Sequence, residues 1–259
     1  MTRWLLCLMP PLVCLVRPTP TPAQAPPDPP RAYPVGLAVS YGVGAYGVRD
    51  EAISTQRYEG TLPYLSVSWT RDHTRYIYRV EMEFRRSEEI RNYTVSTTIT
   101  RFVLGQAFIY PVGTRTALGR DVGFFLGPTS EVALLLNEQH IAVDALGFAQ
   151  SVAALLSLGL QADALMPVSQ RITALASLRS SVISLGIRAV DDEIDDASPA
   201  RLLTLLDGVN ASLETGAIYR LGGRLSFRLA YLFQLGRIAA WQPVLDSSDS
   251  IVGRLSWRF

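Results

Sequence analysis

The feature that most limits the fold is a strict alternation of apolar and polar residues, seen most clearly between residues 75 and 85. The apolar positions are Tyr76, Tyr78, Val80, Met82 and Phe84, and the charged positions are Arg75, Arg79, Glu81, Glu83 and Arg85. An extended strand places successive side chains on opposite faces, whereas a helix would mix the two sets. This segment is therefore predicted to be a β-strand with one apolar face and one charged face.

The same period of two returns elsewhere in the chain. In residues 224–235 the apolar set is Leu225, Phe227, Leu229, Tyr231, Phe233 and Leu235, and the alternating polar set is Arg224, Ser226, Arg228 and Gln234. In residues 35–44 the larger apolar set is Val35, Leu37, Val39, Tyr41 and Val43, and the alternating small set is Gly36, Ala38, Ser40, Gly42 and Gly44. A face made only of such small residues is expected to line a tight space.

Ten segments of this kind are predicted, with eight or twelve strands left open as alternatives. Their approximate ranges are 35–48, 61–70, 74–86, 92–110, 121–137, 150–165, 171–187, 209–220, 223–236 and 250–259. Soluble sheets use strands of about five or six residues, whereas tilted membrane strands need about nine to eleven. The lengths and the even count predict an all-β fold, a transmembrane antiparallel up-and-down β-barrel.

The connections between these segments alternate in length, as they do between the two ends of membrane barrels. Tight turns are predicted at 71–73, 111–115, 166–170 and 221–222, and longer loops near 49–60, 138–149, 188–208 and 237–249. A helix is the competing interpretation of residues 149–165, which are rich in alanine and leucine. Their period of two and Gly159 favour a strand.

The start of the chain has a different composition. A basic first segment, the apolar stretch 4–16 and the small-x-small pattern at 23–25 predict a secretory signal peptide over residues 1–25. The apolar stretch is too short for a helix that spans a bilayer core of about 30 Å. Residues 26–34 are predicted to be a proline-rich lead-in, and residues 35–259 the barrel.

The closing segment carries the most specific motif. Ile251, Gly253, Leu255, Trp257 and Phe259 alternate with Arg254, Ser256 and Arg258. This ending resembles the C-terminal assembly signal of bacterial outer-membrane β-barrel proteins, the small barrels of eight to ten strands. The resemblance implies a location in the outer membrane, contact with outer-membrane lipid, and recognition of Trp257 and Phe259 by the barrel-insertion machinery. Gly253 lies one position earlier than the usual glycine of that signal.

If the apolar faces contact lipid, the charged faces line a narrow lumen. The predicted lumen charge cluster consists of Arg79, Glu81, Glu83, Glu214, Arg224, Arg228 and Arg254. Opposite charges in this space are expected to pair, because an unpaired buried charge costs several kcal/mol. Two functions are compatible with this pattern: a structural or loop-displaying barrel with a filled lumen, and a narrow porin-like pore for small solutes or ions.

Enzymatic activity is not predicted, and no catalytic residue is assigned. His140, close in sequence to Glu138 and Asp144, is the one candidate general base. Ala142 stands where barrel lipases and deacylases carry the serine of a His-x-Ser arrangement. A barrel-embedded hydrolase or protease of the outer leaflet therefore remains only a distant alternative. His73 is predicted to be a solvated turn residue.

No cofactor, metal or nucleic-acid partner is predicted. Both cysteines, Cys7 and Cys14, lie in the predicted signal peptide, so the exported part lacks thiolate ligands. The acidic run at 191–196 lacks the spacing and the glycine of a calcium loop and is predicted to be a solvated loop. The formal net charge is +1 and no basic tract occurs, which argues against a nucleic-acid partner. The oligomeric state is left open.

Overall fold

The structure is a computed structural model that describes residues 35–51, 57–87, 90–92, 95–141, 148–190, 198–205, 207–239 and 243–259. The predicted signal peptide 1–25, the lead-in 26–34 and the acidic run 191–196 lie outside the described residues. The described residues contain no helix that is both long enough and apolar enough to cross a membrane.

The described chain forms strands joined in one sheet. Their bounds are β1 (Gly36–Asp50), β2 (Arg57–Asp72), β3 (Ile77–Arg86), β4 (Ile90–Asn92), β5 (Val95–Ala117), β6 (Arg120–Ile141), β7 (Phe148–Pro167), β8 (Ile172–Val190), β9 (Ser198–Thr204), β10 (Gly208–Arg220), β11 (Leu225–Ile238) and β12 (Val244–Trp257).

The sheet closes into a barrel. The seam is the antiparallel pair of β1 and β12, which runs from Leu37 opposite Trp257 to Asp50 opposite Val244. Within the described residues ten strands complete the ring, namely β1, β2, β3, β5, β6, β7, β8, β10, β11 and β12. The predicted ten-stranded antiparallel barrel is therefore confirmed. Closure pairs the two edge strands with each other, so no backbone N–H or C=O group of a sheet edge is left unpaired. A sheet can lie in lipid only under this condition.

The two short strands lie in line with barrel strands. β4 pairs with β5 beyond the end of β3, with Ile90 opposite Thr97, and so continues the path of β3. β9 pairs with the far part of β8, with Thr204 opposite Ile183, whereas β10 pairs with the near part of β8. The position between β8 and β11 is thus shared by two strands.

Side-chain exposure alternates along the barrel strands. On β1, Leu37, Val39 and Tyr41 are 41–61% exposed and point outward, whereas Ala38 and Ser40 are buried and point inward. Outward apolar side chains occur in the same way on each of the ten barrel strands. Together they form an apolar belt, which is stable in lipid and would be a large exposed apolar patch in water.

The two ends of the barrel differ in their connections. At the end called here the turn end, short connections follow β2, β5, β7 and β10, and the seam brings Gly36 close to Trp257. The opposite end is called the loop end. β7 is a strand over its whole length, so the helical alternative for residues 149–165 is excluded.

The predicted tight turn at 111–115 is wrong. Those residues belong to a long β5–β6 hairpin with a bulge between Pro111 and Gly113, and the turn is Leu118-Gly119, where both residues have positive φ. Pro111 is tolerated because β3 pairs with β5 only as far as Ile109, so the proline faces no β3 partner. Several predicted loops are also shorter than expected: β12, for example, begins at Val244 rather than at residue 250.

Candidate functional site: the barrel interior

The interior of the barrel is layered. At the turn end an apolar cluster fills part of the lumen: Ile77, Ala107, Ile109, Phe125, Leu165, Leu175 and Ile218. Toward the loop end two further apolar clusters lie close together: Tyr46, Val48, Tyr58, Leu62 and Ile99, and Ala153, Leu203, Ile238 and Val244. Charged side chains occupy the space between these clusters, and two ion pairs also lie beside the loop-end clusters.

The inward charges are balanced in number. Among the described residues, the inward arginines on the barrel strands are Arg79, Arg85, Arg101, Arg179, Arg188, Arg228 and Arg254. The inward carboxylates are Asp50, Glu81, Glu83, Glu131, Asp163, Glu214 and Asp246. Seven of each give an interior with no net formal charge, as expected where charges must pair away from bulk water.

Near the turn end, Glu81 joins two strands across the lumen. Its Oε1 accepts a hydrogen bond from Nη2 of Arg254 at 2.5 Å, and its Oε2 lies 3.4 Å from Nη2 of Arg179. Nε of Arg254 also donates to Ser40 at 2.7 Å. Arg228 reaches Glu214 with Nε at 3.2 Å. β1, β3, β8 and β12 are thereby tied together through side chains as well as through the sheet.

In the middle of the lumen, Arg85 is enclosed on all sides. Its Nε donates to Glu83 at 2.7 Å, its Nη1 donates to Ser248 at 2.7 Å, and its Nη2 donates to Gln234. Its guanidinium carbon lies 4.7 Å from the ring centroid of Tyr64, a cation–π distance. With 1% exposure, Arg85 is held as part of the core rather than as a flexible pore lining.

Toward the loop end, two more ion pairs cross the lumen. Nη1 of Arg101 on β5 donates to Oδ2 of Asp246 on β12 at 2.5 Å. Arg188 on β8 donates to Asp50 on β1, which also accepts a hydrogen bond from Ser151 at 2.5 Å. Each pair joins strands that are far apart around the ring, so these contacts brace the barrel from inside.

The structure places six of the seven predicted cluster residues inside the barrel: Arg79, Glu81, Glu83, Glu214, Arg228 and Arg254. Arg224 does not belong there. It has the correct parity for the inward face of β11, but β11 begins at Leu225, and Arg224 lies exposed in the preceding turn. Beyond the end of a strand, parity no longer determines where a side chain points.

Sequence reasoning missed Asp50, Arg188 and Asp246. All three fall inside predicted loops, because the strands were taken to end too early at the loop end. Arg101 lies within a predicted strand and was not singled out, although it alternates with the outward Phe102 and Leu104. Arg188 could not have been found by extending the period of two, because the register of β8 shifts beside Val182 and the inward positions change parity there.

The residues of the predicted assembly signal are both exposed. Trp257 is the last residue of β12 and points outward, and Phe259 lies beyond the strand with 80% exposure. Gly253 pairs with Tyr41 and Leu229, and a Cβ at this position would lie 3.4 Å from the ring of Phe227. Recognition of Trp257 and Phe259 by the barrel-insertion machinery stays a prediction.

The candidate catalytic and metal-binding residues do not form a site in the described part of the chain. His73 lies in the turn between β2 and β3 and stacks on Tyr76 with ring centroids 4.6 Å apart. The side chain of His140 lies outside the described residues. Among the residues whose placement is described, no group of three or more His, Cys, Asp or Glu side chains is arranged to hold a metal ion.

A closed antiparallel barrel with an apolar outer face and a polar, paired interior defines the class of this protein. It is a small outer-membrane β-barrel, and its place is the bacterial outer membrane. The fold is similar to the translocator domain of the autotransporter NalP from Neisseria meningitidis, with 11% identity, a TM-score of 0.45, and 88% of this chain and 90% of that chain covered.

Two other solved structures also resemble the chain. The outer membrane protease OmpT from Escherichia coli is 7% identical, with a TM-score of 0.46 and coverage of 87% of this chain and 97% of that chain. Neisserial surface protein A is 12% identical, with a TM-score of 0.32 and coverage of 86% and 97%. No protein-family model and no curated protein matches the chain.

Proposed function

We propose that this protein is a closed structural barrel that displays its loops at the cell surface and does not conduct solutes. The observation that carries the proposal is the filled interior, in which apolar clusters and paired charges occupy the lumen from the turn end to the loop end. Ions cross apolar constrictions poorly, because such constrictions exclude water. A neutral network of short ion pairs also offers no excess charge to select one kind of ion.

A second candidate function is a narrow pore, and one observation favours it. Cavities follow one another along the lumen, and each shares wall residues with the next: Arg254 borders the first pair, Glu81 and Glu83 the second, and Arg101 the third. A pore along this line requires these shared side chains to move. The proposal therefore depends on whether the apolar layers stay closed.

Conductance in planar lipid bilayers tests the proposal. We expect the refolded wild-type barrel to show no current steps above those of a bilayer without protein. Tyr58→Ala removes one of the two tyrosine rings of the loop-end apolar clusters and is expected to produce brief openings. Tyr41→Ala, a change on the lipid-facing side of the neighbouring strand, is the matched control and is expected to stay silent.

Steady, ion-selective steps from the wild-type barrel would overturn the structural function and support the pore. A change in ion selectivity on substituting Glu81 would then identify the charged layer as the filter. Hydrolysis of lipid or peptide by the purified barrel would instead support the outer-leaflet hydrolase or protease.

A further inference from the structure

The turn end of the barrel is strongly basic, in contrast to the neutral interior. Its connections and the residues after β12 are 71–76, 112–122, 166–172, 220–225 and 258–259, all of which are described. They contain two aspartates, Asp72 and Asp121, and eight arginines: Arg71, Arg75, Arg115, Arg120, Arg171, Arg220, Arg224 and Arg258. The side chains thus leave six formal positive charges at this end, which we call the basic rim.

The charges of the basic rim have no counter-charge in the described part of the chain. All eight arginines are exposed, and none lies within ion-pair distance of a described carboxylate. Asp121 accepts a hydrogen bond from Thr116 instead, at 2.9 Å. The interior charges pair with one another, so they do not neutralise the rim. Its counter-charge therefore comes from outside the chain, either from salt or from an anionic partner.

The arginines lie where outward aromatic side chains end the apolar belt. Such neighbours occur at three strand ends: Trp69 and Arg71, Tyr219 and Arg220, and Trp257 and Arg258. Arg71 follows Trp69 on the same outward face of β2. Tryptophan and tyrosine prefer the boundary between acyl chains and headgroups. The basic rim therefore lies at the depth of the lipid phosphates in the leaflet that borders the turn end.

The basic rim also surrounds the barrel. Each connection at the turn end carries at least one arginine, and these connections follow β2, β5, β7 and β10 around the ring. A folded protein partner would contact one side of the barrel, whereas lipid surrounds it. A guanidinium, in addition, matches the paired oxygens of a phosphate. The shape and chemistry of the rim thus favour lipid headgroups as its partner.

The net charge of the headgroup decides which lipid is preferred. A zwitterionic headgroup brings its own cation beside the arginines, whereas a headgroup with net negative charge supplies the missing counter-charge. We therefore propose that the basic rim selectively recruits anionic phospholipids from the leaflet that borders the turn end. In outer-membrane barrels the short connections face the periplasm, so this is the periplasmic leaflet. The preference does not depend on whether the lumen conducts.

The test is contact quenching of tryptophan by lipids with brominated acyl chains. Trp241→Phe, present in every sample, leaves Trp69 and Trp257 as reporters in the mature protein, and both point outward at the turn end. The barrel is refolded in phosphatidylcholine vesicles that contain a minor fraction of brominated phosphatidylglycerol or the same fraction of brominated phosphatidylcholine. We expect the anionic lipid to quench about threefold more strongly. The excess should vanish in roughly 1 M salt, where the Debye length falls to about 3 Å.

Two arginine variants and a matched control locate the effect. Arg71→Gln with Arg75→Gln removes the charges beside Trp69 and is expected to remove roughly half of the excess quenching. Arg237→Gln removes an exposed, outward arginine of β11 near the loop end and is expected to change nothing. If the first double variant does not insert, Arg224→Gln with Arg258→Gln makes the same test beside Trp257.

Equal quenching by the two lipids in the wild type would overturn the proposal. An excess that survives high salt, or that both double variants leave intact, would also overturn it. An equal loss in Arg237→Gln would mean that the total charge of the protein, and not the rim, attracts the lipid. If the wild type shows no lipid preference but sediments with purified cell-wall sacculi through Arg71 and Arg75, the rim binds an anionic polymer and the assignment to lipid is wrong.

Discussion

Arg101 offers the clearest measure of how dry the barrel interior is. It extends from β5 to Asp246 on β12, with Nη1 and Oδ2 2.5 Å apart, and its Nη2 lies 3.2 Å from Oδ1 of Asn210. Arg101 is 6% exposed and Asp246 is 8% exposed. The substitution Arg101→Met keeps most of the side-chain volume and leaves the Asp246 carboxylate without its cation.

The expected cost follows from this burial. Breaking a fully buried ion pair by removing one partner costs roughly 3 to 5 kcal/mol. Cavities border Arg101 on two sides, so water can reach Asp246 in part, and the lower value of about 3 kcal/mol is expected. Replacing both partners, as in Arg101→Met with Asp246→Leu, removes the stranded charge and is expected to restore most of the stability.

Reversible urea unfolding in detergent, followed by tryptophan fluorescence, measures these differences. The matched control is Leu104→Val, which changes the lipid-facing side of the same strand and is expected to cost less than about 0.5 kcal/mol. The double variant supplies the coupling energy between the two side chains. If Arg101→Met costs under about 1 kcal/mol and the double variant recovers nothing, the pair is solvated. The closed-lumen argument then fails.

Four other outcomes are expected. The mature protein should fractionate with outer membranes and show heat-modifiable gel mobility; recovery from the soluble periplasm would contradict the location. Deleting Phe259, which is exposed beyond β12, should lower folded yield in cells far more than refolding in detergent, and equal losses would mean that it only packs. Leu118→Asn should raise the free energy of unfolding by about 1 kcal/mol, seen as a higher urea midpoint, because Leu118 is 91% exposed at φ 53°, where asparagine is favoured; an unchanged midpoint would refute this. Gly44→Ala should reduce folding, since its Cβ would lie 1.8 Å from the carbonyl oxygen of Asp249 across the seam, whereas Val43→Ala should fold normally.

The presence of a strand and the direction in which its side chains point were predictable from the local sequence pattern alone. The alternation around Arg79 and Glu83 identifies both the strand and its inward face, because a period of two needs no knowledge of distant neighbours. The same reasoning favoured a strand for residues 149–165 against a strong compositional preference for helix. β7 confirms it, since it pairs along its length with β6 and β8.

The positions of turns and of strand ends were less predictable from the sequence, because pairing with the neighbouring strands decides them. Pro111 and Gly113 look like turn residues, yet β6 pairs with β5 past both of them to the true turn at Leu118-Gly119. Leucine is a poor predictor of a positive-φ turn. Arg224 shows the opposite error, since the local pattern continues past the point where β11 begins to pair.

The sequence by itself determined that the chain is a membrane barrel and which faces of most strands meet lipid, and it favoured ten strands while leaving eight or twelve open. These properties depend on period, segment length and composition, all of which are local. Only the tertiary structure decided which charges meet, for example that Arg101 pairs with Asp246 and Arg188 with Asp50. Such partners lie far apart in the sequence, and barrel closure and strand stagger bring them together across the lumen.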